Sequence, residues 1–206
     1  MDSFISKMNN RIIKEPYGKC FVVSDFTDIM DYETAKKNIA RLEKKGILRR
    51  VVRGVYDKPK YSKLLNEYIT PDINEIALAL ARNYNWTIAP SGNTALNLLG
   101  LSTQVPANWE YISTGPYRSY DIGKAKLHFA HRANKTIEGM SWKTAMVIEA
   151  LKAIGKDEVD DKTINQLRRR LTKPDKANLL TEARQTTNWI YSMIKIICQN
   201  TRGENV

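Results

Sequence analysis

Apolar residues recur at helical spacing along the first third of the chain, and each run closes at a residue that stops a helix. Phe4, Ile5, Met8, Ile12 and Ile13 predict a helix from Asp2 to Glu15, ended by Pro16 and Gly18. Phe21, Val22 and Val23 form a short apolar run, after which Ser24 is placed to cap a brief helix over Asp25 to Met30. Ala35, Ile39 and Leu42 lie at i, i+4 and i+7 and predict a further helix, with Asp31 as N-cap and Gly46 as its stop. Rotation by about 100° per residue puts Thr34, Lys37, Arg41 and Lys44 on the opposite side. The runs Ile47 to Val52 and Val55 to Tyr56 favour strand and join at Arg53-Gly54, where glycine can take the positive φ of a tight turn. Helix, extended piece, helix, helix and ribbon is the order of a winged helix-turn-helix, predicted over residues 1–62.

The polar, proline-bearing stretch Lys58 to Lys63 predicts the exit from this domain. Asp72 is placed to cap a helix whose apolar positions, Ile76 to Ala81, nearly surround it and predict burial in a second domain. A short strand from Trp86 to Ala89 is stopped by Pro90, and Ser91 can cap a helix from Asn93 to Leu99 that ends at Gly100. Trp109 to Ser113 and Ser119 to Ala133 have strand character, with Leu127 and Phe129 on one face and Lys126, His128 and Arg132 on the other. From Ser141 onward the spacing is helical: a first run ends at Gly155, a second before Pro174, and a long last helix carries Leu179 to Ile197, with fraying from Asn200. The expected fold class is α+β. An N-terminal winged helix-turn-helix (1–62) precedes a mixed α/β domain (63–140) and a helical C-terminal region (141–206) packed on the second domain.

Charge sharpens this picture. The net charge is +11, and residues 1–60 hold 14 bases against 8 acids, whereas residues 61–140 hold 7 against 6. Residues 36–53 alone carry eight bases (Lys36, Lys37, Arg41, Lys44, Lys45, Arg49, Arg50, Arg53) against Glu43. A basic helix running into a basic ribbon suits the phosphate backbone of a duplex. The same residues also read as a solvated face beside a hairpin. Taken with the preceding helices, the pattern predicts a double-stranded DNA-binding surface of Thr34, Lys37, Asn38, Arg41, Lys44, Lys45, Arg49, Arg50 and Arg53. Arg41 is the first choice for base reading, because its planar fork can donate twice to guanine O6 and N7.

Other chemistry has weak footing. Uninterrupted apolar stretches fall short of the roughly 18 residues of a membrane span, and the N-terminus lacks the order of a secretion signal, so a cytoplasmic protein without a membrane partner is expected. Cys20 and Cys198 lie outside any C-x-x-C spacing and point to neither a zinc ribbon nor a disulfide framework. His128 and His131 invite a metal, but residues three apart on a strand face opposite ways, so no metal ligands are assigned. No phosphate loop, dinucleotide fingerprint or nucleophile elbow occurs, and no catalytic or cofactor-binding residues are assigned. In Pro90-Ser91-Gly92-Asn93-Thr94 a proline stop and a serine cap explain every residue, although exposed amides there could also bind an anion. Arg168-Arg169-Arg170, bracketed by Leu167 and Leu171, reads as the exposed sides of a helix or as a second polyanion contact.

Two blocks, TAKKNIARLEKKGILRRVVRGVYDKP from Thr34 and IAPSGNTALNLLGLSTQVPANWEYIS from Ile88, resemble the AbiEi-like antitoxins of bacterial type IV toxin-antitoxin systems, over roughly residues 2–135. The resemblance implies a winged helix that binds an inverted-repeat operator and represses its own operon. It also implies a second domain that helps neutralise a nucleotidyltransferase-like toxin, not necessarily in a stable complex, and it supplies no catalytic residues. A non-enzymatic transcriptional regulator is therefore expected. A regulator with no toxin partner and a nucleic-acid-processing enzyme that holds substrate on the winged helix are the alternatives; the scattered acids Glu67, Asp72, Glu75, Glu110, Asp121 and Glu138 offer the latter no clear metal cluster.

Overall fold

A computed structural model describes residues 4–133 and 137–199. It is mixed α and β, and its contacts divide the chain into two compact units, residues 1–86 with 120–127, and residues 87–119 with 128–206. Asp2, where the first helix was expected to begin, and the residues from Asn200 lie outside the described part.

The first unit opens with α1 (Phe4–Lys14), which buries Met8 and Ile12. Its C-terminal carbonyls are answered by Lys58, whose Nζ donates to the carbonyls of Ile13 and Glu15 at 2.7 Å each. Strand β1 (Cys20–Phe21) follows, and then a 3-10 turn over Val23–Phe26 where a capped helix was expected. The capping atom is also different: the Asp25 carboxylate accepts from the Val22 N–H at 2.9 Å, and Ser24 contributes no side-chain cap. Val23, Phe26 and Met30 are all buried, and the segment holds them inward with a single short 3-10 turn.

Helix α2 (Tyr32–Lys44) begins at Asp31, whose carboxylate accepts from the Thr34 N–H at 2.9 Å. Strands β2 (Arg49–Val52) and β3 (Val55–Asp57) form the ribbon, and β1 joins it to give the antiparallel order β1-β3-β2. Met8, Ile12, Phe21, Phe26, Ile39, Leu42 and Leu48 make the core beneath. A second hairpin, β4 (Lys60–Ser62) with β5 (Glu67–Ile69), leads to α3 (Ile73–Tyr84), capped by Asp72.

Helix α3 packs on β1, β3 and the 3-10 turn, and so the first unit runs on to Trp86 instead of ending at residue 62. Side chains reinforce that packing. Arg82 of α3 donates to Asp25 Oδ1 and to the Cys20 carbonyl, both at 3.0 Å, and Lys19 pairs with Glu75 at 3.1 Å. The apolar wrap of α3 does mean burial, but in the N-terminal unit.

In the second part of the chain β6 (Ile88–Pro90) pairs antiparallel with β7 (Asn108–Ser113), in a sheet of order β6-β7-β9-β8 with β8 (Arg118–Ile122) and β9 (Ala125–His131). Between β6 and β7 lies α4 (Gly92–Leu98), whose buried Thr94 accepts from the Glu110 N–H at 2.7 Å. Helices α5 (Trp142–Ile154), α6 (Asp161–Arg170), α7 (Lys173–Glu182) and α8 (Asn188–Cys198) complete it. Ala95 of α4 and Leu99, which caps its end, share one core with Val147, Leu151, Leu167, Leu179, Ile194 and Ile197, so residues 141–199 fold together with part of the preceding segment. The long last helix of the sequence reading is two helices. The 3-10 turn Ala183–Gln185 breaks it, and Thr187 starts α8 afresh, which lets both Leu179 and Ile194 reach the core. No helix among the described residues is long and apolar enough to cross a membrane.

Burial pushes the Cys20 thiol up to about 12, and the carboxylates of Asp57 and Glu75 reinforce the shift. Alkylation requires thiolate. With iodoacetamide at pH 8 the native protein should be modified at the half-buried Cys198 first, and at Cys20 only once unfolded. Equal labelling rates by mass spectrometry would contradict the packing of α3 over β1.

Candidate nucleic-acid interface

The basic segment is shaped by how α2 starts and stops. At its end the Gly46 N–H donates to the Glu43 carbonyl at 2.9 Å and the Ile47 N–H to the Leu42 carbonyl at 3.0 Å, a paired closure that requires left-handed backbone at Gly46, where φ is 71°. The reversal sends Leu48 into the core and delivers Arg49 to the first position of the ribbon. At the far end of β2, Gly54 has φ 84°, and a Cβ there would stand 3.0 Å from the Asn83 amide. Glycine is therefore favoured at that turn by conformation, and a Cβ would also press on the end of the Asn83 side chain.

The inward stripe of α2 is Ala35, Asn38, Ile39 and Leu42. Thr34, Lys37, Arg41, Lys44 and Lys45 lie exposed on the remaining surface, as the helical rotation predicts. Asn38 does not join them. It is 5% exposed, and its amide donates to the Thr34 carbonyl at 3.0 Å while its oxygen accepts from Arg41 at 3.4 Å. Its place at i+3 from Ala35 and i−4 from Leu42 is the sequence signal that assigns it to the stripe. Asn38 is thus a brace under Arg41, and the expected auxiliary contact from its side chain is withdrawn.

The three ribbon arginines separate in the same way. Arg49 turns inward, its Nε and Nη2 donating to the two oxygens of Asp57 at 3.0 and 2.6 Å. Asp57 is fully buried, and Nη2 of Arg49 also donates to the Ile69 carbonyl at 2.9 Å while its guanidinium lies 5.5 Å from the Tyr68 ring centre. Arg50 and Arg53 are exposed. The cross-strand register Arg49 to Asp57 could have been read from a hairpin centred on Arg53-Gly54, since opposite charges at facing positions attract. Lys37, Arg41, Lys44, Lys45, Arg50 and Arg53 pair with no acid among the described residues, whereas Lys36 pairs with Glu33 at 3.6 Å. Tyr32, at the first position of α2, is a half-exposed ring on the same helix.

The remaining sequence candidates have structural partners. His128 Nδ1 lies 2.8 Å from Ser119 Oγ, and His131 Nδ1 donates to the Gly115 carbonyl at 3.0 Å. No three His, Cys, Asp or Glu side chains among the described residues converge as a metal would require. At Gly92 a Cβ would stand 2.5 Å from the Glu110 carboxylate, so an anion approaching the turn before α4 would meet a negative group. The arginine triplet is divided: Arg168 donates to the Ile196 carbonyl at 2.7 Å, Arg170 covers Gly100, and Arg169 is exposed. A cleft of about 590 Å³ is lined by Glu138, Met140, Lys152, Glu182 and Thr187, and two of its charged groups are engaged. Glu182 accepts from the Ser141 N–H and hydroxyl at 2.8 and 2.9 Å, and Lys152 donates to Glu149 at 2.7 Å.

A family of unknown function (DUF6088) matches residues 7–179, and the chain belongs to it. No curated protein matches the chain.

The division of the ribbon arginines has an energetic consequence. Arg49→Ala leaves a buried carboxylate without its cation and should cost roughly 2–4 kcal/mol in urea unfolding, somewhat below a fully buried pair. Arg50→Ala, at an exposed position, should stay within about 0.5 kcal/mol. Equal costs would contradict the separate roles.

Proposed function

We propose that the chain is a sequence-specific double-stranded DNA-binding transcriptional regulator, with α2 as the recognition helix of a winged helix-turn-helix and the β2–β3 ribbon as its wing. The observation that carries the reading is the division of charge over residues 34–53. The cations with structural work turn inward, and Lys37, Arg41, Lys44 and Lys45 remain on one exposed helix surface without an acid partner. Free lysines and arginines at helical spacing suit a major groove, where phosphates position the protein and base edges give sequence information.

Within this reading Arg41 reads a base, its guanidinium Nη1 donating to the Asn38 oxygen at 3.4 Å and its other nitrogens left for the base edge. Lys37, Lys44 and Lys45 meet phosphates, and Arg50 and Arg53 lie along the backbone or in the adjacent minor groove. An inverted-repeat operator follows if two copies bind adjacent half-sites. The resemblance to AbiEi-like antitoxins extends the proposal to autorepression and to neutralising a nucleotidyltransferase-like toxin. The role is then regulatory and not catalytic.

Arg41→Ala should weaken binding to a duplex selected from a random library by about 1–3 kcal/mol and leave binding to unselected DNA nearly unchanged. Lys37→Ala and Lys44→Ala should weaken both, each reducing the salt slope of log K by about 0.9. A wild-type chain that fails to retain any duplex at 50 mM salt in a mobility-shift assay would sink the proposal. For the antitoxin role, co-expression with an adjacent nucleotidyltransferase-like gene product should rescue growth; no rescue at matched expression would leave plain regulation.

A further inference from the structure

Leu64 and Leu65, at the tip of the β4–β5 hairpin, are 93% and 61% exposed, and every residue from Lys63 to Thr70 is exposed. We propose that this hairpin is a minor-groove wedge whose leucines enter a base step of the bound duplex and bend it, an inference that rests on the DNA-binding reading of α2.

The tip is shaped in advance. The Tyr61 hydroxyl donates to Asn66 Oδ1 at 2.5 Å, the Leu65 N–H donates to Ser62 Oγ at 3.2 Å, and the Tyr61 and Tyr68 rings meet edge to face at 5.2 Å. Asn66 takes a left-handed turn, with φ 52°, which closes the loop and leaves both leucines outside it. These contacts hold the strands, and none of them shelters the leucines.

The root of the hairpin is fixed to the basic ribbon. Arg49, already paired with Asp57, donates to the Ile69 carbonyl and lies against the Tyr68 ring. The strand that carries Arg50 thus also anchors the hairpin, and the two ribbons belong to one unit.

The charges favour a polyanion. Lys60 and Lys63 stand on the hairpin with no acid partner among the described residues, and Glu67 is the only acid between positions 60 and 69. Exposed apolar side chains beside lysines are the composition of wedges that part a base step from the minor groove. A second copy of the chain fits less well. The two leucines and the half-covered tyrosines fall short of the roughly 800 Å² per partner of a standard interface, and a twofold contact at the tip would bring Lys63 against its own copy.

The test uses the full-length protein and a 40-base-pair duplex that it selects from a random library, labelled at both ends for energy transfer. Wild type should bind and raise the transfer efficiency. L64S/L65S, melting at the wild-type temperature, should bind about tenfold more weakly and leave the efficiency at the value of free DNA. K37A/R41A should lose binding. Wild-type binding without bending, or bending by L64S/L65S equal to wild type, would overturn the wedge and leave the DNA-binding reading standing. Failure of the wild type to select any duplex would overturn both. A dimer by light scattering that L64S/L65S converts to monomer would overturn the wedge by assigning the tip to self-association.

Discussion

A carboxylate with no exposed surface must be answered by a cation held close to it, and Asp57 imposes that constraint on the first unit. It sits on the central strand of the three-stranded sheet, opposite both Cys20 and Arg49. The guanidinium of Arg49 meets both its oxygens, and with its remaining donor capacity reaches the Ile69 carbonyl. One ion pair therefore fixes the ribbon's first residue, the buried centre of its sheet and the root of the next hairpin. Replacing the pair with apolar residues could preserve stability, but removing only one member could not.

The same pair sorts the basic residues of the unit into two populations. Arg11, Arg49 and Arg82 meet Asp28, Asp57 and Asp25, and Lys58 closes α1 through its carbonyls. These cations organise the chain. Lys37, Arg41, Lys44, Lys45, Arg50 and Arg53 are left facing water, and their charge remains available to a partner. A count of basic residues merges the populations, whereas the proposed function draws on the second. The charge that remains is dense for about twenty residues of chain, and it is this surface that the proposed polyanionic partner would meet.

The second unit repeats the lesson with different groups. Its arginine triplet looks uniform in sequence, yet Arg168 is tied to the α8 backbone and Arg170 lies over Gly100, where a larger residue would displace it. The turn before α4 resembles an anion cradle until Glu110 is seen beside Gly92. Each polar motif there has a local structural duty. The helical core of Leu151, Leu167, Leu179 and Ile194 depends on breaking the C-terminal apolar run at Ala183–Gln185, so that two short helices present their faces from different directions.

Much of this was legible in the chain itself. Local rules settled the caps at Asp31 and Asp72, the stop at Gly46, the turn at Gly54 and the inward and outward faces of α2, because each depends on neighbours within a few residues. They also separated Leu127 and Phe129 from the opposite face of β9. The burial of Asn38 and the facing of Arg49 and Asp57 also follow from local spacing and hairpin register, although a count of polar residues passes over both. The extension of the first unit to Trp86 was decided only in the folded chain, because it turns on a contact between distant segments, α3 closing over β1 and β3. Periodicity reports which way a side chain points, and only tertiary packing determines what it meets there.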